Sequence, residues 1–187
     1  MKNELKNEIE NESKCMEKRV DNTKFIIQRF DNLIAATNAK GNFLLAFNTF
    51  VTGFVIGNYS ELKLMTTERC GIVFLNITIT ALVISSIITT LFVILAIYPF
   101  LKTGNSTEDN YHSHIFFNSV SEFRNDKEYY DSFMELKGSD FEKDLIIQIY
   151  QLSKGLNTKY KMLKNAMLFV YFELLCLFLI LNLIIFY

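Results

Sequence analysis

Gly71 to Leu101 reads GIVFLNITITALVISSIITTLFVILAIYPFL and contains no Asp, Glu, Lys or Arg. A helix crosses the hydrocarbon core of a bilayer with roughly 20 mostly apolar residues, so this stretch alone is long enough to span. Two further runs flank it. Gly41 to Gly57 (GNFLLAFNTFVTGFVIG) is also uncharged and lies near the short end of the usual ~17 to 25 residues. Asn165 to Tyr187 carries a single charge, Glu173. Three such runs in 187 residues predict an all-α integral membrane protein with three transmembrane helices.

The rest of the composition fits spans joined to ordinary polar segments: 50% of residues are hydrophobic, yet 21% are charged. The formal net charge of −1 gives no global attraction to nucleic acid. The residues before Gly41 hold no apolar h-region, so a cleaved secretory signal is not expected there and the first span is read as the insertion signal. Cys15, Cys70 and Cys176 fall in three different segments, which is neither a disulfide framework nor a zinc spacing.

Basic residues set the expected orientation. Eight of the 19 Lys and Arg precede Gly41 and nine lie between Lys102 and Lys164, whereas the loop from Asn58 to Cys70 holds only Lys63 and Arg69. Positive charge stays cytoplasmic. The sequence therefore predicts a multi-pass protein of the cell membrane divided as follows: a cytosolic amphipathic helix (1–40), a first span (41–57), an extracytoplasmic loop (58–70), a second span (71–101), a small cytosolic helical insert (102–164) and a third span (165–187) ending outside.

In the amino-terminal arm, Leu5, Ile9, Met16, Val20, Ile27, Phe30 and Ile34 recur at three, four or seven residues, the stripe of an amphipathic helix. No Gly or Pro interrupts it before Gly41, so one helix is expected to run from the arm into the first span. Its apolar stripe fits packing on the protein's own insert, or a coiled-coil or membrane-surface contact. The insert begins with a polar loop, Lys102 to Asp109, and continues with short helices expected near 115–123 and 127–136. Beyond Gly138, Ser139 and Glu142 form an S-x-x-E capping-box pattern, and Phe141, Leu145, Ile149, Leu152, Leu156 and Leu163 make one stripe leading to the last span.

No phosphate-binding loop, nucleophile elbow or H-E-x-x-H motif occurs, and the chain reads as a non-enzyme without metal or cofactor. His112 and His114 beside Tyr111 are a surface-loop pair before they are a metal site. Polar groups inside the spans say more, because hydrocarbon offers them no partners. Asn48, Asn76, Glu173 and Asn182 are the candidates, with Ser85, Ser86, Thr89 and Thr90 on the second span. A carboxylate at mid-bilayer costs at least ~2.5 kcal/mol and such residues usually face a bundle interior or a water-filled path. Interhelical bonding and pore lining both fit. Three spans are few to enclose a water-filled pore, so a homo-oligomer is expected.

Three segments carry a resemblance. Arg29 to Phe47 (RFDNLIAATNAKGNFLLAF) is a polar element running straight into a small, Leu-rich helix; Ser113 to Val120 (SHIFFNSV) is similar to an S-x-I-F-F-G-x-I piece, with Asn118 where Gly is frequent; and Asp144 to Ser153 (DLIIQIYQLS) followed by Lys159-Tyr160 is similar to D-L-x-x-Q-I-x-x-L-S…K-Y. In that order, from Arg29 to about Ala166, they resemble the Pycsar transmembrane effectors. The resemblance implies a bacterial antiphage effector that senses a cyclic nucleotide from a separate cyclase and disrupts the cell membrane in abortive infection. The insert departs from a β-roll cyclic-nucleotide module, being short and helical, so the pocket is not given by analogy.

A cyclic nucleotide brings one phosphate charge, which Lys, Arg or a helix start can hold, and a base that stacks on aromatic rings. Arg29, Lys40, Lys154 and Lys159 are the candidate cations and Phe116, Phe117 and Tyr150 the candidate stacking groups. The expected partners are thus the lipid bilayer, the messenger and further copies of the chain. A constitutive membrane scaffold or accessory subunit, and a ligand-independent holin-like toxin, are the other classes that fit the same spans.

Overall fold

The computed structural model describes residues 2–66, 69–99 and 113–186. The expected polar loop at 102–109, Tyr111 and His112 lie outside the described residues. Six helices follow in order: α1 (Lys2–Gly57), α2 (Tyr59–Met65), α3 (Arg69–Ile97), α4 (Phe117–Ser121), α5 (Asp126–Met134) and α6 (Gly138–Phe186), with no strand among the described residues. α1, α3 and α6 are each long and apolar enough to cross a membrane. At 1.5 Å per residue, the 56 residues of α1 extend about 84 Å, far beyond the ~30 Å hydrocarbon core. The arm and the first span are indeed one helix, as the absence of a breaker before Gly41 predicts.

Two compact units share these helices: residues 1–34 with 99–156, and residues 35–98 with 157–187. In the first, the polar unit, the stripe Met16, Val20, Thr23, Ile27, Phe30 and Ile34 is the covered face of α1. Met16 reaches Gly138, where an added Cβ would stand 3.1 Å from its methyl carbon. Arg19 Nε donates to Glu142 Oε1 at 2.6 Å and Nη2 to Oε2 at 3.2 Å. The arm therefore packs on the chain's own α6.

That pairing corrects the capping-box expectation. α6 starts at Gly138, the amides of Asp140 and Phe141 bond to Lys137 O, and both Glu142 oxygens serve Arg19 instead of the helix start. A capping arrangement occurs at α5: Glu128 N donates to Asn125 Oδ1 at 2.8 Å, and Glu128 Oε2 accepts from Arg124 N at 2.9 Å. A run of rings fills the space around α5, with centroid separations of 5.9 Å for His114–Phe123, 5.2 Å for Phe123–Tyr129, 5.9 Å for Tyr129–Phe133 and 6.5 Å for Phe133–Phe141.

In the second, the membrane unit, two apolar clusters join α1, α3 and α6: Val55, Leu75, Ile79, Leu82, Cys176, Ile180 and Leu183 in one, and Leu44, Val93, Ala96, Leu163, Ala166 and Val170 in the other. Between apolar helices in lipid, close contact and polar bonds replace the hydrophobic effect as the driving force. Gly41 serves that purpose: a Cβ there would lie 2.9 Å from Ile97 Cγ1, so α1 passes α3 over bare backbone. The loop 58–70 is more ordered than its composition implies, since α2 occupies most of it and Tyr59 Oη donates to Asn76 Oδ1 at 2.8 Å. The second span stops at Ile97 and not at Leu101, because Pro99 has no N–H to continue the ladder and disfavours helical geometry at Tyr98.

Candidate functional site

Polar side chains gather in the interior of the membrane unit. Asn48 of α1 is 0% exposed, Thr89 of α3 0% and Glu173 of α6 1%. Asn48 Nδ2 donates to Ser86 O and to Thr90 Oγ1, both at 3.0 Å, and Thr52 Oγ1 donates to Ser86 Oγ at 2.8 Å. On the other side of α3, Thr89 Oγ1 donates to Glu173 Oε1 at 2.6 Å, and Ser85 Oγ to Phe169 O at 3.3 Å. Positions 86 and 90 share one ridge of α3, and 85 and 89 the adjacent one. One helix thus offers hydroxyls to both of its neighbours. Asn48 Oδ1 and Glu173 Oε2 are buried and have no hydrogen-bond partner among the described residues.

The four intramembrane candidates separate into two kinds. Asn48 and Glu173 belong to this layer. Asn76 is exposed and accepts from Tyr59, while Asn182 Nδ2 bonds within its own helix to Phe178 O at 2.7 Å. Thr52 is a member of the layer that the uncharged run of the first span conceals, because the run also holds Thr49 and nothing local says which of the two faces α3.

At the end of α3 a second buried polar group closes the helix. Lys159, 5% exposed, donates from Nζ to the carbonyls of Ala96 at 2.7 Å, Ile97 at 3.1 Å and Tyr98 at 3.1 Å, and to Asn38 Oδ1 at 3.1 Å. The last carbonyls of a helix lack intrahelical donors and carry its negative end; Pro99 removes one further donor. An ammonium has three hydrogens, and here four acceptors already surround it. Lys159, expected among the phosphate-holding cations, is a cap for α3 tied also to α1.

In the polar unit, two of the three resemblance segments meet. Asp144, buried on α6, accepts from Ser113 Oγ at 2.7 Å and from His114 N at 2.8 Å. Ser113 Oγ in turn accepts from Phe116 N at 3.0 Å and Ile115 N at 3.3 Å, closing the turn before α4. His114 is held as well: its carbonyl accepts from Tyr129 Oη at 2.9 Å and its Nε2 lies 2.8 Å from Ser132 Oγ. Beside this junction lies a narrow cleft lined by Ser113, Phe116, Asp144, Ile147, Gln148 and Gln151.

The expected ligand residues divide between the units. Arg29, Phe116, Phe117, Tyr150 and Lys154 are in the polar unit; Lys40 and Lys159 are in the membrane unit. Phe116 and Phe117 pair with ring centroids 5.0 Å apart, and Lys154 Nζ sits 4.3 Å above the exposed Tyr150 ring. Arg29 is exposed on α1. Lys40 rims an apolar recess described below.

Three helices able to span a membrane, bonded to one another through a buried polar layer, define an all-α integral membrane protein. The family description "Pycsar effector protein domain" matches residues 22–186, which extends the resemblance read from Arg29 to about Ala166 on both sides. The chain belongs to the Pycsar effector family, and with it to the antiphage effectors linked to cyclic-nucleotide signals. Neither the curated proteins nor the solved structures gave a match.

Proposed function

We propose that this chain binds a cyclic nucleotide made by a separate cyclase, opens the cell membrane in response, and so ends infection by killing the infected bacterium. In this reading it carries out no chemical step itself, works as a homo-oligomer, and keeps its polar unit and amino terminus cytosolic with Tyr187 outside. The observation that carries the reading is the polar layer of Asn48, Ser86, Thr89 and Glu173 at the centre of otherwise apolar helices. Interhelical bonds would serve any membrane bundle; beyond them, the buried Oε2 of Glu173, unpartnered among the described residues, is a group that an ion path can use. Helices that separate on a signal expose it to such a path.

The polar unit supplies the chemistry of a nucleotide site. Phe116, Phe117 and Tyr150 offer faces for a base, Gln148 and Gln151 offer amide donors and acceptors for its edge, and Arg29 or Lys154 offers charge for the phosphate. The test is membrane potential in cells expressing the chain with and without candidate cyclic nucleotides. Depolarisation only with a nucleotide is the expected result. Depolarisation without any nucleotide would establish a holin-like toxin, and none under either condition a scaffold.

A further inference from the structure

The membrane unit has an apolar recess of about 630 Å³ lined by Ala39, Lys40, Phe43 and Leu44 of α1 and by Leu163 and Met167 of α6. Its volume lies within the ~300–1,000 Å³ of small-molecule sites. Its chemistry is uneven: five lining side chains are apolar, and the one charge is Lys40. Phe43 is 70% exposed along its wall.

The depth of this recess follows from the sequence. Lys40 is the last charged residue of α1 before its uncharged run, and Lys164, next to Leu163, is the last on α6 before the closing span. Both helices therefore leave the charged region for hydrocarbon within one turn of the recess. At that level a bilayer places its phosphate groups above the first methylenes of its acyl chains. A Lys there reaches the headgroups while its stem lies on apolar surface, and a basic residue near an anionic surface gains about 1 kcal/mol.

We propose that this recess binds one anionic phospholipid, its phosphate paired with Lys40 and an acyl chain lying over Phe43, Leu44, Leu163 and Met167. A lipid in this place joins α1 to α6 at the level where Lys159 joins α6 to α3. The bilayer's anionic lipid is then a ligand of the effector as well as its solvent. Lys40, expected among the nucleotide's phosphate contacts, is assigned to lipid phosphate.

The test is native mass spectrometry of the full chain in detergent, titrated with phosphatidylglycerol or phosphatidylcholine of equal chain length. Phosphatidylglycerol adducts should persist preferentially, and Lys40→Ala should weaken that retention about fivefold, the equivalent of one lost cation near phosphate. Met167→Trp, which fills the recess, should weaken both lipids; if it fails to insert, the exposed Phe43→Ala takes its place. Equal retention of the two lipids, or unchanged retention in Lys40→Ala, overturns the proposal. So does displacement by soluble glycerol phosphate at matched concentration, which would mark a phosphate site without an acyl-chain component.

Discussion

Ser113 Oγ donates a 2.7 Å hydrogen bond to Asp144 Oδ1, joining the first residue of one family segment to the first residue of another 31 positions later. The same carboxylate accepts the amide of His114. Through these bonds the turn before α4 hangs on α6.

Asp144→Ala should therefore free the whole turn. It leaves the Ser113 hydroxyl proton and the part-buried His114 amide without their acceptor, at a cost of about 1–3 kcal/mol per group. Hydrogen exchange across residues 113–121 should speed up accordingly. Ser113→Ala with Asp144→Ala should cost less than the sum of the two, as for any directly bonded pair. Full additivity would show that the bond contributes nothing.

Glu173→Gln should behave as the unchanged protein, because the amide oxygen still accepts from Thr89. Glu173→Ala removes that bond and should lower thermal stability in detergent by about 0.6 kcal/mol, the average measured for interhelical hydrogen bonds, and by no more than about 1.7 kcal/mol. It should also shift the nucleotide concentration at which membranes depolarise while leaving nucleotide affinity unchanged. An alanine variant with normal stability and normal depolarisation would remove Glu173 from the mechanism.

Lys159→Met leaves the carbonyls of Ala96, Ile97 and Tyr98 without their shared donor. Bonds to a charged group contribute about 1.5–3 kcal/mol each, so thermal stability should fall clearly, and Lys159→Arg should restore part of it. Nucleotide-induced stabilisation, read as the shift in unfolding temperature with ligand, should be retained in both. Its loss in Lys159→Arg would return this residue to the binding site.

Acid should loosen the contact between α1 and the start of α6. The hydrogen bond from Arg19 holds the Glu142 carboxyl below its ordinary value of 4.5. A folded-state value below the unfolded one means that the contribution is complete above about pH 4.5 and fades as pH falls through the depressed folded value. Exchange of the α1 amides near Arg19 should rise in that acid window, and salt should have the same direction of effect on this exposed pair. Glu142→Gln should remove the pH dependence.

Reporter fusions test the orientation. A reporter after Tyr187 should be extracytoplasmic and one within 106–110 cytoplasmic, since 17 of the 19 basic residues flank one side of the three spans. Both reporters on one side would end the three-span arrangement.

Helix by helix, the architecture was legible wherever it depended on composition and local breakers. The uncharged runs located the spans, and the lack of Gly or Pro before Gly41 gave the continuity of α1. Pro99 ends α3 four residues before the uncharged run does, whereas the lack of charge alone carries the expected span to Leu101. What depends on tertiary neighbours was not legible. Ser139 and Glu142 have the spacing of a capping box, but Arg19, 123 positions from Glu142, claims the carboxylate. Lys159 has the look of an interfacial cation because nothing in its local sequence reveals the helix end beside it. The polar side chains of the spans were visible as anomalies; that Thr89 faces Glu173, while Ser86 and Thr90 face Asn48, emerges only when the helices are packed.

The cap on α3 also bears on the order in which the protein is made. A ribosome releases α3 with its final carbonyls bare long before residue 159 exists, and within a membrane or at its edge those groups need a donor. The donor arrives only with α6. Until then the hairpin of α1 and α3 is an unfinished intermediate, suited to capture by an insertase or to clearance by a membrane protease. Chains truncated before Lys159 should therefore turn over faster in a pulse-chase than the full chain, even though two complete spans have already been synthesised.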